Sequence, residues 1–371
     1  MISKIKHVLG GNLKNAVGWR TNRKIVVIES DDWGLIRMPS KYVRDILVKK
    51  HPKSFYGTTY DRVDNLANKE DLSAIFNILQ KFRDKNGNHP VITANTVVAN
   101  PDFFKIKESG YTEYFWEPFT ETLKRYPNHQ QTIDLWQEGI SKGIFFPQFH
   151  AREHIDILQW LTALKVMEQG ALDAFANNTW IMKRASGERI DIAYNYSNDR
   201  QLDFILKSID VGAALFQEIF GFKSKSFIAP AYTWDNKIEK KFNDLGFKYI
   251  QGGLYQIFPS IYNKKRLNYT GRKNNLGQIY LMRNVHFEPA LTPQNDCVPK
   301  SLLDIERAFL WRKPAIISSH RLNYIGNLEE QNRINTLNQL QKILSYVVKK
   351  YADVEFMTSD QLGDAIVMDK A

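Results

Sequence analysis

Lys24-Ile-Val-Val-Ile28 runs straight into Glu29-Ser-Asp-Asp-Trp-Gly34. An apolar, mostly β-branched run reads as a short buried strand, and the acidic, glycine-ended stretch behind it reads as a polar loop. The same order recurs along the chain. Ile144-Phe-Phe-Pro-Gln-Phe149 leads to His150, Ser226-Phe-Ile-Ala229 leads to Pro230 and Tyr232, and Ala315-Ile-Ile-Ser318 leads to His320. Further strands are expected over 90–98, 247–250, 279–285 and 354–357. Helical spacing lies between them. Asp71 opens one helix through Leu72, Ile75, Phe76, Leu79 and Phe82, and Gly221 ends a long one from Leu202 to Phe220. Glu329 to Val348 forms a third, through Leu337, Leu340, Ile343 and Leu344. Strands alternating with helices predict an α/β fold of parallel βα units with right-handed crossovers. Ligands in such folds bind at the carboxyl ends of the strands. Asp31, Asp32, His150, Tyr232 and His320 should therefore converge on one mouth.

The 371 residues contain 43% hydrophobic and 13% aromatic side chains, enough for a sizeable core. A length prior of roughly 150 residues per domain suggests two domains, but α/β barrels often run to about 250 residues as one. No repeat, low-complexity tract or flexible linker divides the chain. We therefore expect a basic amphipathic segment over 1–23 and a single barrel domain over 24–371, with insertions around 40–70, 101–140 and 251–280. No stretch approaches the roughly 18 apolar residues of a membrane span. Lys4, Lys6 and His7 interrupt any signal-like apolar run, and Cys297 is the sole cysteine. Both features fit a cytoplasmic protein.

The net charge is +11. Residues 1–24 carry six Lys and Arg with no acid, and Ile2, Ile5, Val8, Leu9, Leu13 and Val17 share one helical face. Such a helix either packs on the domain with its basic face in water or lies on an anionic membrane, here the inner membrane surface. Basic residues are otherwise spread along the chain without a nucleic-acid-binding motif, so no nucleic-acid partner is expected.

Adjacent acids at a strand end can divide the work near a cation, one ligating and the other taking a proton. His150-Ala-Arg-Glu-His154 places two imidazoles on one side if the segment turns helically. Asp32, His150 and His154 would then supply two nitrogens and one oxygen, leaving positions open as a catalytic metal requires. His320 is placed to give a proton to a leaving group.

These segments resemble the polysaccharide deacetylase family, also called the NodB-homology or carbohydrate esterase family 4 group. The matching stretches are Ser30-Asp31-Asp32-Trp33-Gly34, His150-Ala-Arg-Glu-His154, Ile228-Ala-Pro-Ala-Tyr232, Ile317-Ser-Ser-His320 and the ending Phe356-Met-Thr-Ser-Asp-Gln-Leu362. The resemblance implies an irregular (β/α) barrel, often of seven strands rather than eight. It implies that Asp32, His150 and His154 bind one divalent metal, zinc first, with cobalt, nickel or manganese as alternatives. It makes Asp31 the general base and His320 the general acid, and gives the backbone N–H near Tyr232 to the oxyanion. Trp33 and Trp234 are expected to stack on the sugar. The implied reaction removes an N-acetyl or other acyl group from an amino sugar of a glycan or of a lipid-linked precursor.

The chain departs from the family in three places. The arginine of the third motif, which pairs with the base, is replaced by Ile228, with Arg152 or Arg321 as spatial substitutes. The acid that tunes the late histidine is not marked by a motif, and Glu288 or Asp296 are the candidates. The interval from Asp32 to His150 is long, so an insertion should shape the cleft. Two rivals remain at this level. One is a glycosidase using Asp31, Asp32 and Glu153 as flanking carboxylates, about 5–9 Å apart. The other is a degenerate deacetylase that only binds glycan.

Overall fold

The computed structural model describes residues 14–52, 58–126, 129–184 and 186–369. Parallel strands β1 (Lys24–Trp33), β2 (Ile92–Val97), β3 (Phe145–Ala151), β4 (Ser226–Ile228) and β5 (Tyr249–Gly252) lie side by side in chain order. Two short pieces follow, β6 (Ile279–Met282) beside β5 and β7 (Val285–His286) beside β8 (Ala315–His320), and β8 returns to β1. The Arg283 N–H donates to Gly252 O at 2.9 Å and the Asn284 N–H to Ile316 O at 3.1 Å. Consecutive residues bonding to opposite neighbours is what a single strand does. β6 and β7 are therefore one strand, and the pairing closes into a parallel α/β barrel. A last strand, β9 (Val354–Met357), fills the lower part of the β1 edge that β2 occupies above.

The strands are buried on both faces, as parallel strands covered by helices must be. The long helix Asp199–Phe220 is capped by Asn198 and ends on Gly221 in the left-handed region, at φ 77°. The helix Lys69–Leu79 starts two residues before the expected Asp71, because Asn68 and Asp71 form a reciprocal capping box. Two of the expected insertions carry regular structure, and so does the stretch 170–200. Residues 40–70 hold helices Lys41–Lys50 and Thr59–Val63, residues 170–200 hold Gln169–Ala176, and residues 251–280 hold a hairpin of Tyr255–Ile257 with Lys265–Leu267. The helix Val298–Leu310 had no counterpart in the sequence reading.

Residues 1–13 of the expected amphipathic segment lie outside the described residues. The stretch after them is tied to the amino-terminal end of the barrel. Lys313 Nζ donates to the carbonyls of Val17, Gly18 and Trp19, and Trp19 Nε1 donates to Asp369. Among the described residues, no helix is long and apolar enough to cross a membrane.

Candidate functional site

β1 is longer than its apolar run, because Asp31 and Asp32 still belong to it. Pairing with β2 shifts register between Ser30 and Trp33, and Asp32 sits at φ 72°. This is a bulge, which re-aims a side chain at a strand end. Gly34 stands two residues on at φ 80°, where a Cβ would run into the carbonyl oxygen of Val97.

Asp32, His150 and His154 each offer a ligand atom within 4.8 Å of the others. Asp32 Oδ1 lies 3.5 Å from His150 Nε2 and 3.7 Å from His154 Nε2. The segment between the histidines is not helical, contrary to expectation. His150 is the last but one residue of β3, and the chain bends back to bring His154 beside it. His150 Nδ1 bonds to Ile228 O at 2.8 Å, so Nδ1 carries the proton and Nε2 presents a lone pair. Asp32 Oδ1 and His154 Nδ1 are buried without a hydrogen-bond partner. Burial lowers the His154 pKa to about 4, which keeps the ring neutral. Burial opposes ionisation of Asp32, but Arg37, His150 and His154 outweigh it and hold its pKa well below the usual carboxylate range. An anionic oxygen with no donor beside two imidazole rings is a donor set that fits a divalent cation.

Asp31 is bonded very differently. Arg283 grips it with both terminal nitrogens, Nη2 to Oδ1 at 2.5 Å and Nη1 to Oδ2 at 2.7 Å, and Asn95 Nδ2 donates to Oδ1 at 2.8 Å. Arg283 Nε reaches Glu29 at 2.7 Å, and its Nη1 reaches the Tyr232 hydroxyl at 3.1 Å. Burial alone would raise the Asp31 pKa, but Arg283 lowers it to about 2. Arg283, in the closing strand, thus stands where Arg152 or Arg321 was expected. Arg152 is instead paired with Glu153 among Tyr114, Trp116 and Phe204, and Arg321 is paired with Asp64. The sequence signal for Arg283 was there to use: a cation interrupting the apolar run from Ile279 to Val285 must find a buried acid.

His320 ends β8 with Nε2 3.7 Å from Asp31 Oδ2. Its Nδ1 meets Glu288 Oε1 at 2.6 Å, and Asn323 Nδ2 holds the other oxygen of Glu288 at 2.6 Å. Burial would lower the His320 pKa, but Glu288, then Asp31 and Asp32, raise it to about 9. Asp296, the other candidate partner, caps the start of the helix Val298–Leu310.

Asp32, His154, His320, Ala231 and Arg37 line an open pocket of about 360 Å³ at the carboxyl ends of the strands, with Tyr60 and Trp180 on its walls. Asp31 is 4% exposed and lies behind this lining. The Tyr232 N–H is spent on a turn with Ala229 O at 2.9 Å, so it is not a free donor. Ala231, at φ 51°, faces the pocket, and its N–H bonds to no other group of the described residues. Trp33 and Trp234 are fully buried and do not reach the pocket. Trp33 packs on Trp136, Phe145 and Tyr324, and the Trp234 indole donates to Glu239, so both are core residues rather than a sugar platform. Tyr60 is the half-buried aromatic at the site, whereas Trp180 borders the pocket with 2% of its surface exposed and its indole bonded to Ile36 O. Glu153, held by Arg152, does not line the pocket, which removes the carboxylate proposed as partner to Asp31 and Asp32 in a glycosidase.

No protein-family model matches the sequence, and no curated protein matches it either. Solved structures with a similar chain trace exist. A candidate polysaccharide deacetylase from Mycobacterium smegmatis is 12% identical with a TM-score of 0.46, covering 95% of this chain and 94% of its own. PuuE allantoinase is 12% identical with a TM-score of 0.44, covering 92% and 90%. A 4-alpha-glucanotransferase from Thermococcus litoralis is 10% identical with a TM-score of 0.46, covering 92% of this chain and 40% of its own.

Proposed function

We propose that this chain is a metal-dependent hydrolase of the polysaccharide deacetylase kind, removing an N-acetyl group from an amino sugar. One observation carries the reading: a donor-less Asp32 oxygen beside two imidazoles, next to an Asp31 whose oxygens are both held. Asp32, His150 and His154 would hold the ion, zinc first. When bound, such an ion polarises a carbonyl and makes water more acidic.

The chain's own residues do the rest. Asp31 stays ionised above pH about 2, so it is always able to accept the proton of an attacking water. Arg283 and Asn95 fix its orientation, and Glu29 and Tyr232 fix Arg283. The Ala231 N–H supplies an oxyanion donor, a contribution of roughly 3–4 kcal/mol in comparable sites. His320, protonated at neutral pH through Glu288, gives its proton to the nitrogen as the C–N bond breaks. Acetate and a free amine are the products. Tyr60 offers an aromatic surface to the sugar.

The test uses zinc-loaded protein and N-acetylglucosamine oligomers, measuring acetate release. Release should stop with a strong chelator and fall by about 10²–10⁴-fold in Asp31→Asn, whose zinc affinity should stay near wild type. Acetate release that survives the chelator would overturn the reading.

A further inference from the structure

The hairpin of Tyr255–Ile257 and Lys265–Leu267 is built inside out. Its inward side chains are polar. Gln256 is fully buried, donating to Trp234 O at 2.7 Å and accepting from Arg266 at 2.9 Å. Arg266 also reaches Glu239 and the Tyr280 hydroxyl. Its outward side chains are apolar except for Lys265. Tyr255 stands directly across from Leu267, and Ile257 from Lys265. Tyr255 is 53% exposed and Leu267 46%, and Ile261 and Tyr262 extend the face over the connecting loop. Strand side chains alternate between faces, so a hairpin lying on a domain should hide these residues and show Gln256 and Arg266 to water. The reversal leaves a contiguous apolar face for something else to cover.

Charge says what covers it. Lys264 and Lys265 are exposed beside the face, Lys273 is exposed nearby, and residues 251–287 contain no Asp or Glu at all. Apolar and tyrosine side chains in a segment whose only charges are cationic fit the boundary of a bilayer carrying anionic headgroups. A second copy of this chain fits poorly, because a twofold contact would set Lys264 and Lys265 against their own counterparts.

We propose that this hairpin docks the protein on an anionic lipid surface. The hairpin is joined to the site wall: the Trp234 N–H donates to Ile257 O at 3.0 Å, and Gly253 lies against the Tyr232 ring. The hairpin leaves the carboxyl end of β5, the end of the barrel at which the pocket lies. The inference stands on the hairpin alone and holds whatever reaction the pocket performs.

The experiment is co-sedimentation of the full chain with phosphatidylglycerol-containing vesicles beside phosphatidylcholine vesicles. Two variants are compared, Tyr255→Ser/Ile257→Ser/Leu267→Ser and Lys264→Glu/Lys265→Glu, each with near-ultraviolet circular dichroism as a check that it folds. Wild type should bind the anionic vesicles, and folded variants should lose about tenfold or more in partitioning. An intact chain that ignores anionic vesicles overturns the proposal. So does unchanged binding in the folded variants, which would assign the contact to residues 1–13. Self-association of wild type that the apolar variant abolishes, without vesicle binding, would assign the face to a second copy instead.

Discussion

Asp31 and Asp32 are neighbours in sequence, equally buried, and bonded in opposite ways. Asp31 is wrapped by Arg283 and Asn95, so each oxygen has a donor. Asp32 meets Arg37 at one oxygen, at 3.3 Å, and has nothing on the other. A saturated buried carboxylate is held ionised at rest and in one orientation, which suits the base role proposed for Asp31. An unsaturated one is a liability to the fold and is explained by what it binds. The bulge at φ 72° lets adjacent residues of one strand face these two environments.

The sharpest way to break this contrast is Arg283→Met. It strips Asp31 and Glu29 of their shared cation and leaves two buried acids against each other, with an expected loss of about 3–5 kcal/mol in urea unfolding. The sign with pH follows. Asp31 has its folded pKa depressed from 3.8 to about 2, so its stabilising contribution is present above 3.8 and disappears as pH falls through about 2. The variant should lack that contribution, with less difference from wild type at the acid end. A variant as stable as wild type would mean that the ring of bonds around Arg283 is incidental.

Asp32→Asn tests the other half. Zinc affinity measured by calorimetry should fall about a hundredfold or more, while metal-free stability falls less than in Arg283→Met, because Arg37 meets Asp32 at only 3.3 Å and keeps Asp64 as a partner at 2.9 Å. Equal destabilisation by the two variants would erase the distinction. The smallest effect is expected one residue further out. Glu288→Gln should bring the His320 pKa down from about 9 toward its ordinary 6.5, read by NMR titration of metal-free protein. His320 with its pKa raised stabilises the fold fully below pH 6.5 and loses that contribution as pH rises through 9, so the wild-type advantage should fade at alkaline pH.

The strands that carry Asp31, His150, Tyr232 and His320 were legible because a buried parallel strand is a short apolar run and its functional residue follows at once. Arg283 was not, since its partner lies 252 residues away and no spacing rule links them. Glu288 was only one of two acids near the right place until His320 chose between them. Trp33 and Trp234 misled because aromatics beside a motif look available, whereas here the barrel needed them as filling. The hairpin at 255–267 was read as loop for a related reason: its alternation is short and points the wrong way for a domain that covers itself.

The seam between β6 and β7 has a bearing on how the molecule is made. Every strand up to residue 282 can pair with its neighbour as it emerges, but Asn284 finds its acceptor, Ile316, only when β8 arrives, and β8 then reaches back to β1 across nearly the whole chain. Closure is thus a late, long-range event of the kind that slows folding. The strand that performs it delivers His320. A chain halted before that step could hold much of its core and still lack its proton donor, so hydrolytic competence would mark the completion of the ring.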